Sequence, residues 1–271
     1  MTDAPALRPR VLSIAGSDSG GGAGIQADLK TFSALGVFGM TAITAVTVQN
    51  TRGVSGYEAI SPQIVGDQIR AVATDIGVDA SKTGMLASVE IVHAVADAVA
   101  ETRIPNLVVD PVFVSKHGNA LLAEDAVGAL RGRILPLATL VTPNLPEAAG
   151  LAGFRVDSRD LMEDAAEAIL AMGPGAVLVK GGHLGVETGA DDLLFDGRSL
   201  AWIEGERIAT ANTHGTGCVL SSAIAAHLAL GASVRDAVTL GKAFVTEAIR
   251  HALPIGQGIG PVDPLFGIAP R

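Results

Sequence analysis

Short apolar runs alternate with amphipathic segments along nearly the whole chain. The apolar runs predict strands at residues 11–15, 42–48, 79–82, 107–109, 140–142, 177–180, 192–195 and 200–203. Helical spacing of apolar positions predicts helices near residues 24–35, 62–75, 89–101, 125–133, 145–151, 160–172, 216–230 and 234–251. Strands that alternate with helices form βαβ units, so we expect an α/β fold with a central, mostly parallel sheet and helices on both faces. Ligands in such folds bind beyond the carboxyl ends of the strands, and the loops found there are therefore the places to look for chemistry.

Composition narrows the class of protein. The 271 residues are 48% hydrophobic and 17% charged, which is typical of one compact domain, expected here over residues 11–271 after a tail at 1–10. The net charge of -9 and the lack of a lysine or arginine cluster argue against a nucleic-acid partner. A single cysteine and the lack of an apolar signal segment favour the cytoplasm. The most apolar stretch, residues 219–230, is too short to predict a membrane span.

The run Asn-Thr-His-Gly-Thr-Gly-Cys at residues 212–218 leads into the predicted helix at 216–230. Small residues let the backbone approach an anion, and the N–H groups and dipole of a helix N-terminus attract one. The same field is expected to stabilise a thiolate at Cys218, the only cysteine. A capped helix with a small buried thiol would show the same letters, so the run alone leaves both interpretations open.

A glycine-rich loop at residues 16–24 follows the first predicted strand. It is not a Walker A loop, because Ile25 and Gln26 stand where that motif needs Lys and Ser or Thr. It contains a weak dinucleotide fingerprint, but the next strand ends in Gln49 and not in the acidic residue that would hold a ribose. Asp28 lies near the start of the following helix, where it either matches the helix dipole or serves a site.

Gln49 and Asn50 end an otherwise apolar strand, where an amide is costly unless it is hydrogen-bonded. A carboxamide donates and accepts at once, which suits a heteroaromatic ring that carries a nitrogen next to an amine. Hydrogen bonds to loop backbone would satisfy the same amides, and both interpretations stay open at this point.

Polar side chains also follow three later strands: Asp110 after 107–109, Asn144 and Glu147 after 140–142, and Lys180 at the end of 177–180. Carboxylate and amide oxygens suit Mg²⁺, which takes few protein ligands when it bridges nucleotide phosphates, and a lysine can neutralise a phosphate. Asn144 and Glu147 also have the spacing of a helix capping box, and the two roles can coexist. Further cations of these loops are Lys116, His117 and His183.

Seven motifs follow one another along the chain: AGSDSGGGAGIQADLK (15–30), VQNT (48–51), KTGM (82–85), VDPV (109–112), TPNLPEA (142–148), KGGH (180–183) and NTHGTGC (212–218). In this order they resemble the hydroxymethylpyrimidine/phosphomethylpyrimidine kinases of thiamine biosynthesis, from about residue 11 to residue 261. The resemblance implies the ribokinase-like three-layer fold, usually assembled as a homodimer. It also implies use of ATP and Mg²⁺ to phosphorylate 4-amino-5-hydroxymethyl-2-methylpyrimidine and then the resulting monophosphate.

The family's residue roles carry over by position. Gln49 would read the aminopyrimidine edge, in a pocket lined by Gly16, Asp28, Met85 and Val112. Asn144 and Glu147 match the magnesium–phosphate motif, with Asp110 near the metal. The nucleotide would be served by Lys180, Thr213 and Lys242, and the anion hole would be formed by Gly215, Thr216, Gly217 and Cys218.

Cys218 stands where many ribokinase-like sugar kinases have a catalytic Asp. The pyrimidine kinases and some pyridoxal kinases also have Cys at this position. This position favours the vitamin-kinase branch and leaves the identity of the base open. Phe113 and residues 115–117 vary the family's usual lid loop. The alternatives are a pyridoxal kinase of the same fold and a catalytically silent nucleotide or vitamin sensor.

Overall fold

The computed structural model describes residues 8–112, 124–182, 184 and 189–268. Its strands are β1 (Arg10–Ala15), β2 (Phe38–Ile43), β3 (Ala45–Asn50), β4 (Gly53–Ala59), β5 (Ala80–Thr83), β6 (Leu107–Val109), β7 (Leu140–Val141), β8 (Val177–Val179), β9 (Asp192–Phe195) and β10 (Leu200–Ile203). Its α-helices are α1 (Gly24–Ala34), α2 (Pro62–Asp75), α3 (Val89–Thr102), α4 (Glu124–Ala129), α5 (Leu145–Ala152), α6 (Arg159–Leu170), α7 (Thr216–Ala229) and α8 (Val234–Arg250). A π-helical turn at Leu130–Ile134 and a 3-10 turn at Leu135–Leu137 continue α4. None of the helices in these ranges is long and apolar enough to cross a membrane.

In the described part of the chain, eight strands form a central sheet in the order β10-β9-β8-β7-β6-β5-β1-β2. In this sheet β8, β7, β6, β5, β1 and β2 are all parallel to one another. β9 runs antiparallel to both β8 and β10. The carboxyl ends of β1, β5, β6, β7 and β8 therefore meet at one edge of the sheet. The predicted mostly parallel sheet is confirmed.

Alternate residues of each strand face opposite helix layers, because successive side chains of a strand point to opposite faces. Leu12 and Ile14 of β1 pack in a buried cluster with apolar residues of α2, α3, α5 and α6. Val11 of the same strand belongs to a second cluster with residues of α1, α7 and α8. The strands are apolar on both faces because helices cover both, and the expected three-layer arrangement is confirmed.

The strand predicted at residues 42–48 is wrong, because the chain changes sheets within it. β2 ends at Ile43 in the central sheet, and β3 pairs only with β4 in a separate antiparallel hairpin. Between them, the Thr44 hydroxyl donates to the carbonyl of Met85 at 2.6 Å and its amide donates to the carbonyl of Ala15 at 3.1 Å. These two bonds turn the chain out of the sheet. A continuous apolar run does not show such a change, and β4 escaped prediction because most of its residues are exposed.

Candidate active site

Helix α7 begins at the carboxyl edge of the sheet with Thr216, Gly217 and Cys218 in its first turn. Its N-cap is Gly215, with a φ of +82°, where an added Cβ would lie 1.8 Å from the carbonyl oxygen of Gly22. Only glycine fits this close approach between the two glycine-rich loops. The first amides of a helix have no partner within the helix and attract anions, so the four expected anion-hole residues share one helix N-terminus. Thr213 lies one turn earlier, and its carbonyl accepts from the Thr216 hydroxyl at 2.8 Å.

Asp18 holds the first glycine-rich loop together, a role that the sequence interpretation missed. Its carboxylate accepts the amides of Gly20, Gly22 and Ala23 at 2.8–3.0 Å, and it accepts Nε2 of His214 at 2.8 Å. Burial acts to raise the pKa of Asp18, but the hydrogen bonds from His214 and the amides outweigh it, and the pKa is lowered. Asp18 is therefore a carboxylate that joins this loop to the segment before α7. An Asp that precedes glycines in a turn was the available signal.

Asp28 has no exposed surface, and the expectation that it lines the substrate pocket stays a prediction. Its carboxylate accepts the hydroxyls of Ser13 at 2.5 Å and Ser222 at 2.7 Å, and an oxygen lies 3.2 Å from Nζ of Lys82. Lys82 is equally buried. Burial acts to lower the pKa of Lys82, yet the carboxylates of Asp28 and Asp110 raise it overall. The Asp28–Lys82 pair thus ties β1, α1, β5 and α7 together beneath the helix N-terminus.

The surroundings of Cys218 favour the neutral thiol over the expected thiolate. Burial raises the pKa of the Cys218 thiol to about 11. Lys82 acts in the opposite direction, but the carboxylates of Asp28 and Asp110 add to the rise. The helix dipole acts on Cys218 only through the local backbone, whereas the pKa also depends on burial and on charges from distant segments.

Asp110, Glu147 and Lys180 come together at the ends of β6, β7 and β8, as their positions after parallel strands predicted. Nζ of Lys180 lies 2.9 Å from Oδ1 of Asp110 and 3.8 Å from Oε2 of Glu147. Burial acts to lower the pKa of Lys180, but these carboxylates raise it, so the ammonium stays charged. A β-bridge between Asn144 and Lys180 keeps the two loops in register.

Glu147 takes the capping role that the sequence left open, and its magnesium role stays a prediction. Its side chain accepts the amide of Asn144 at 2.7 Å and its own amide donates to the Asn144 side chain at 2.9 Å, which is a capping box. Burial raises the pKa of Glu147 to about 7, because Lys180 only partly offsets the desolvation and Asp110 adds to it. The two carboxylates of Asp110 and Glu147 share one ammonium, so their negative charge is only partly balanced. Mg²⁺ prefers such oxygen ligands, and the residues present therefore fit this ion. Among the described residues no group of three acidic, histidine or cysteine side chains suited to a metal forms.

Apart from Asp28, the residues expected to line the pyrimidine pocket lie on the β3–β4 hairpin and just after the ends of β1, β5 and β6. A Cβ added to Gly16 would be 3.4 Å from Sδ of Met85, so the glycine leaves room beside that side chain. Gln49 is partly exposed on the hairpin, with one end of its side-chain amide 3.4 Å from Nε2 of His214. Val112 is partly buried just beyond Asp110, at the end of β6. Phe113, residues 115–117 (which include Lys116 and His117) and His183 lie outside the described residues.

Lys242 lines a cleft of about 530 Å³ formed by α8 and the chain around β10. Its ammonium donates to Oδ2 of Asp192 at 2.7 Å and to the carbonyl of Ala190 at 2.6 Å. The other oxygen of Asp192 accepts the amide of Gly181 at 2.9 Å, next to Lys180. Lys242 therefore shapes the cleft wall and connects it to the end of β8.

Phosphoryl transfer needs positioning and charge neutralisation more than covalent chemistry. This edge of the sheet offers a helix N-terminus beside a buried, charged lysine, next to a cleft large enough for a nucleotide base. Fold and site together define a small-molecule kinase of the ribokinase-like class.

The chain belongs to the phosphomethylpyrimidine kinase family, whose model matches residues 18–263. A hydroxymethylpyrimidine/phosphomethylpyrimidine kinase from Streptomyces coelicolor is 54% identical over 259 residues, which cover 96% of this chain and 95% of that protein. Among solved structures, an ADP complex of Bacillus subtilis pyridoxal kinase has a TM-score of 0.89 at 41% identity, covering 95% of this chain and 98% of its own. Phosphomethylpyrimidine kinase from Clostridium difficile has a TM-score of 0.79 at 45% identity, covering 89% and 99%. The family resemblance of the sequence motifs is confirmed.

Proposed function

We propose that the protein uses ATP to phosphorylate 4-amino-5-hydroxymethyl-2-methylpyrimidine, and then phosphorylates the monophosphate to the diphosphate. One observation carries this: the N-terminus of α7 lies between the Gln49 hairpin and Lys180. Gln49 is 3.4 Å from His214, two residues before Thr216, and a Cβ on Gly217 would be 3.6 Å from Nζ of Lys180. A ring bound by Gln49 can thus present its hydroxymethyl group to the helix end that also faces the phosphate-binding lysine.

In the proposed reaction the backbone amides at the start of α7 stabilise the charge on the transferred phosphoryl group. Lys180 neutralises the phosphates from the other side. Asp110 and Glu147 would hold Mg²⁺, which would supply further neutralisation of the nucleotide phosphates. A loose transition state needs little deprotonation of the attacking hydroxyl, so the neutral Cys218 thiol is a contact for the reacting oxygen and not a strong base.

The cleft beside Lys242 is the proposed site of the nucleotide base. It is lined by Trp202, Gly205 and Thr246, which offer apolar surface and backbone for a flat ring. Gly205 is needed there, because a Cβ would lie 2.4 Å from the backbone carbonyl oxygen of Ala190. The ammonium of Lys242 donates to Asp192, and Asp192 accepts the amide of Gly181, the residue that follows Lys180. These hydrogen bonds connect the proposed base site to the phosphate-binding lysine.

Gln49→Ala tests the substrate assignment. Loss of the amide leaves polar groups of the ring unpaired. The variant should therefore lose about 1–3 kcal/mol of binding free energy, seen as a lower kcat/KM for the pyrimidine, while the KM for ATP stays unchanged. Steady-state kinetics with each substrate varied in turn measures both. An unchanged kcat/KM for the pyrimidine would remove Gln49 from the binding site.

Pyridoxal phosphorylation is the second candidate, favoured by the likeness to Bacillus subtilis pyridoxal kinase. Both substrates carry a hydroxymethyl group on a nitrogen heterocycle, and the same helix N-terminus would serve either. Comparing kcat/KM for pyridoxal and for the pyrimidine separates them, and we expect the pyrimidine to be preferred.

The enzyme is further proposed to act in the cytoplasm as a homodimer. Val46, Val48 and Tyr57 support the dimer, because they expose 50%, 64% and 44% of their surface on the β3–β4 hairpin. Exposed apolar side chains on one hairpin are typical of a protein–protein contact. Sedimentation of the parent and of a Val48→Glu variant measures the assembly.

A further inference from the structure

The geometry points to Thr47 and the Asp18–His214 pair as positioning residues that fix which way round the Gln49 amide meets the substrate. This inference rests on the proposed role of Gln49 in reading the pyrimidine. One end of the amide lies 3.2 Å from Oγ1 of Thr47 and the other lies 3.4 Å from Nε2 of His214. A half-turn exchanges the oxygen and nitrogen of an amide without changing its shape, so the neighbouring protons decide the orientation.

Thr47 can only accept from the Gln49 amide. Its hydroxyl has a single proton, and Oγ1 lies 2.8 Å from the carbonyl oxygen of Ser17. A carbonyl oxygen has no proton to give, so it takes the proton of Thr47. The amide end that faces Thr47 must then be the nitrogen, because an oxygen there would place two acceptors against each other.

His214 cannot accept from the same amide. Its Nε2 lies 2.8 Å from Oδ2 of Asp18, whose carboxylate already accepts three backbone amides. A carboxylate accepts only, so Nε2 of His214 carries a proton directed at Asp18. A protonated Nε2 has no lone pair left, so an amide nitrogen on this side would find no acceptor there, and the oxygen is the end that fits. Both neighbours therefore select the same half-turned amide, with Oε1 toward His214 and Nε2 toward Thr47.

This orientation sets the register of the substrate ring. A ring nitrogen accepts from Nε2 on the Thr47 side, and the exocyclic amine donates to Oε1 on the His214 side. In 4-amino-5-hydroxymethyl-2-methylpyrimidine the hydroxymethyl-bearing carbon adjoins the amine-bearing carbon, away from that ring nitrogen. The hydroxymethyl group is thus directed past His214 toward Gly215 and the start of α7, where phosphate is expected. The reversed amide would direct it away from α7.

A double-mutant cycle tests the coupling between Thr47 and Gln49. Thr47→Val keeps the shape of the side chain and removes the hydroxyl, and Thr47→Ser is the matched control that retains it. At saturating ATP, Thr47→Val should lower kcat/KM for the pyrimidine roughly 3- to 10-fold, the loss of one net hydrogen bond, with an unchanged KM for ATP. Thr47→Ser should stay near the parent. In a Gln49→Ala background, Thr47→Val should change kcat/KM less than about twofold, because the two residues act as one unit. An equal loss in both backgrounds, or no loss in either, overturns the inference.

Neutron diffraction from deuterated crystals of the ligand-free parent tests the orientation without any substrate. We expect the two deuterons of the Gln49 amide on the atom that faces Thr47, and one deuteron between His214 and Asp18. Deuterons on the atom that faces His214 overturn the inference. If the parent fails to phosphorylate the pyrimidine while the deuterons lie as expected, the proposed function fails and the assigned amide orientation stands.

Discussion

Lys82→Met tests whether the buried Asp28–Lys82 pair supports the helix that forms the anion site. Methionine keeps most of the length and volume of the lysine side chain and removes its charge. The Lys82 ammonium lies 3.2 and 3.3 Å from the two oxygens of Asp28, and neither side chain is exposed. In the variant the carboxylate retains only the hydroxyls of Ser13 and Ser222 as partners among the described residues.

Removal of one partner from a buried ion pair costs about 3–5 kcal/mol, because the remaining charge stays desolvated. A loss of 1 kcal/mol lowers the Tm of a domain of this size by about 2–4 °C, so we expect a decrease of about 6–20 °C. The double variant Asp28→Asn with Lys82→Met leaves no buried charge at the pair and should recover most of the lost stability.

Urea unfolding followed by circular dichroism measures the free energy of unfolding, and thermal melting measures the Tm. Arg70→Met is the control, because it breaks the exposed Arg70–Glu101 ion pair and should leave the midpoint nearly unchanged. The reasoning is refuted if Lys82→Met melts within about 1 °C of the parent, or if the double variant is less stable than the single one.

Three further predictions concern the site itself. Gly215→Ala should lose both stability and activity, because its Cβ would lie 1.8 Å from the Gly22 carbonyl oxygen. Gly217→Ala should keep the Tm of the parent, because its Cβ would lie 3.5 Å from Oδ2 of Asp110. Equal melting temperatures for the two variants contradict this prediction. Cys218→Ala should lower kcat less than about 100-fold, because a thiol with a pKa of about 11 is not an effective general base at pH 7, and a larger loss contradicts it. The pKa of Glu147 is raised from 4.5 to about 7, so the folded state holds more protons than the unfolded one between these values. The contribution of Glu147 to the free energy of unfolding should therefore be fully present below pH 4.5. That contribution should fall by up to about 3 kcal/mol as pH rises to 7. Glu147→Gln should remove that slope and require more Mg²⁺, and an identical pH profile for the parent and the variant contradicts the raised pKa.

The sequence predicted well what depends on strand order along one edge. Asp110, Glu147 and Lys180 each follow a strand, and parallel strands bring their carboxyl ends together, so these side chains could be predicted as neighbours without coordinates. The helix that begins at Thr216 was predictable for a similar reason, because its glycines mark a start and the apolar run marks its length.

The sequence could not predict what depends on contacts between distant segments. Asp28 reads locally as a residue that matches a helix dipole, but its partners Lys82 and Ser222 lie 54 and 194 residues further along the chain. The pKa of Cys218 likewise depends on burial and on carboxylates from two other segments. The change of sheets at Thr44 depends on hydrogen bonds to Met85 and Ala15, which no apolar pattern shows.

The most direct test of the proposed activity follows the products of ATP and 4-amino-5-hydroxymethyl-2-methylpyrimidine over time by phosphorus NMR. The site predicts a pyrimidine monophosphate that appears first and is then converted to the diphosphate, with one ADP formed at each step. Turnover of pyridoxal alone, or no phosphorylated pyrimidine at all with folded enzyme, ATP and Mg²⁺ present, would contradict the proposed function.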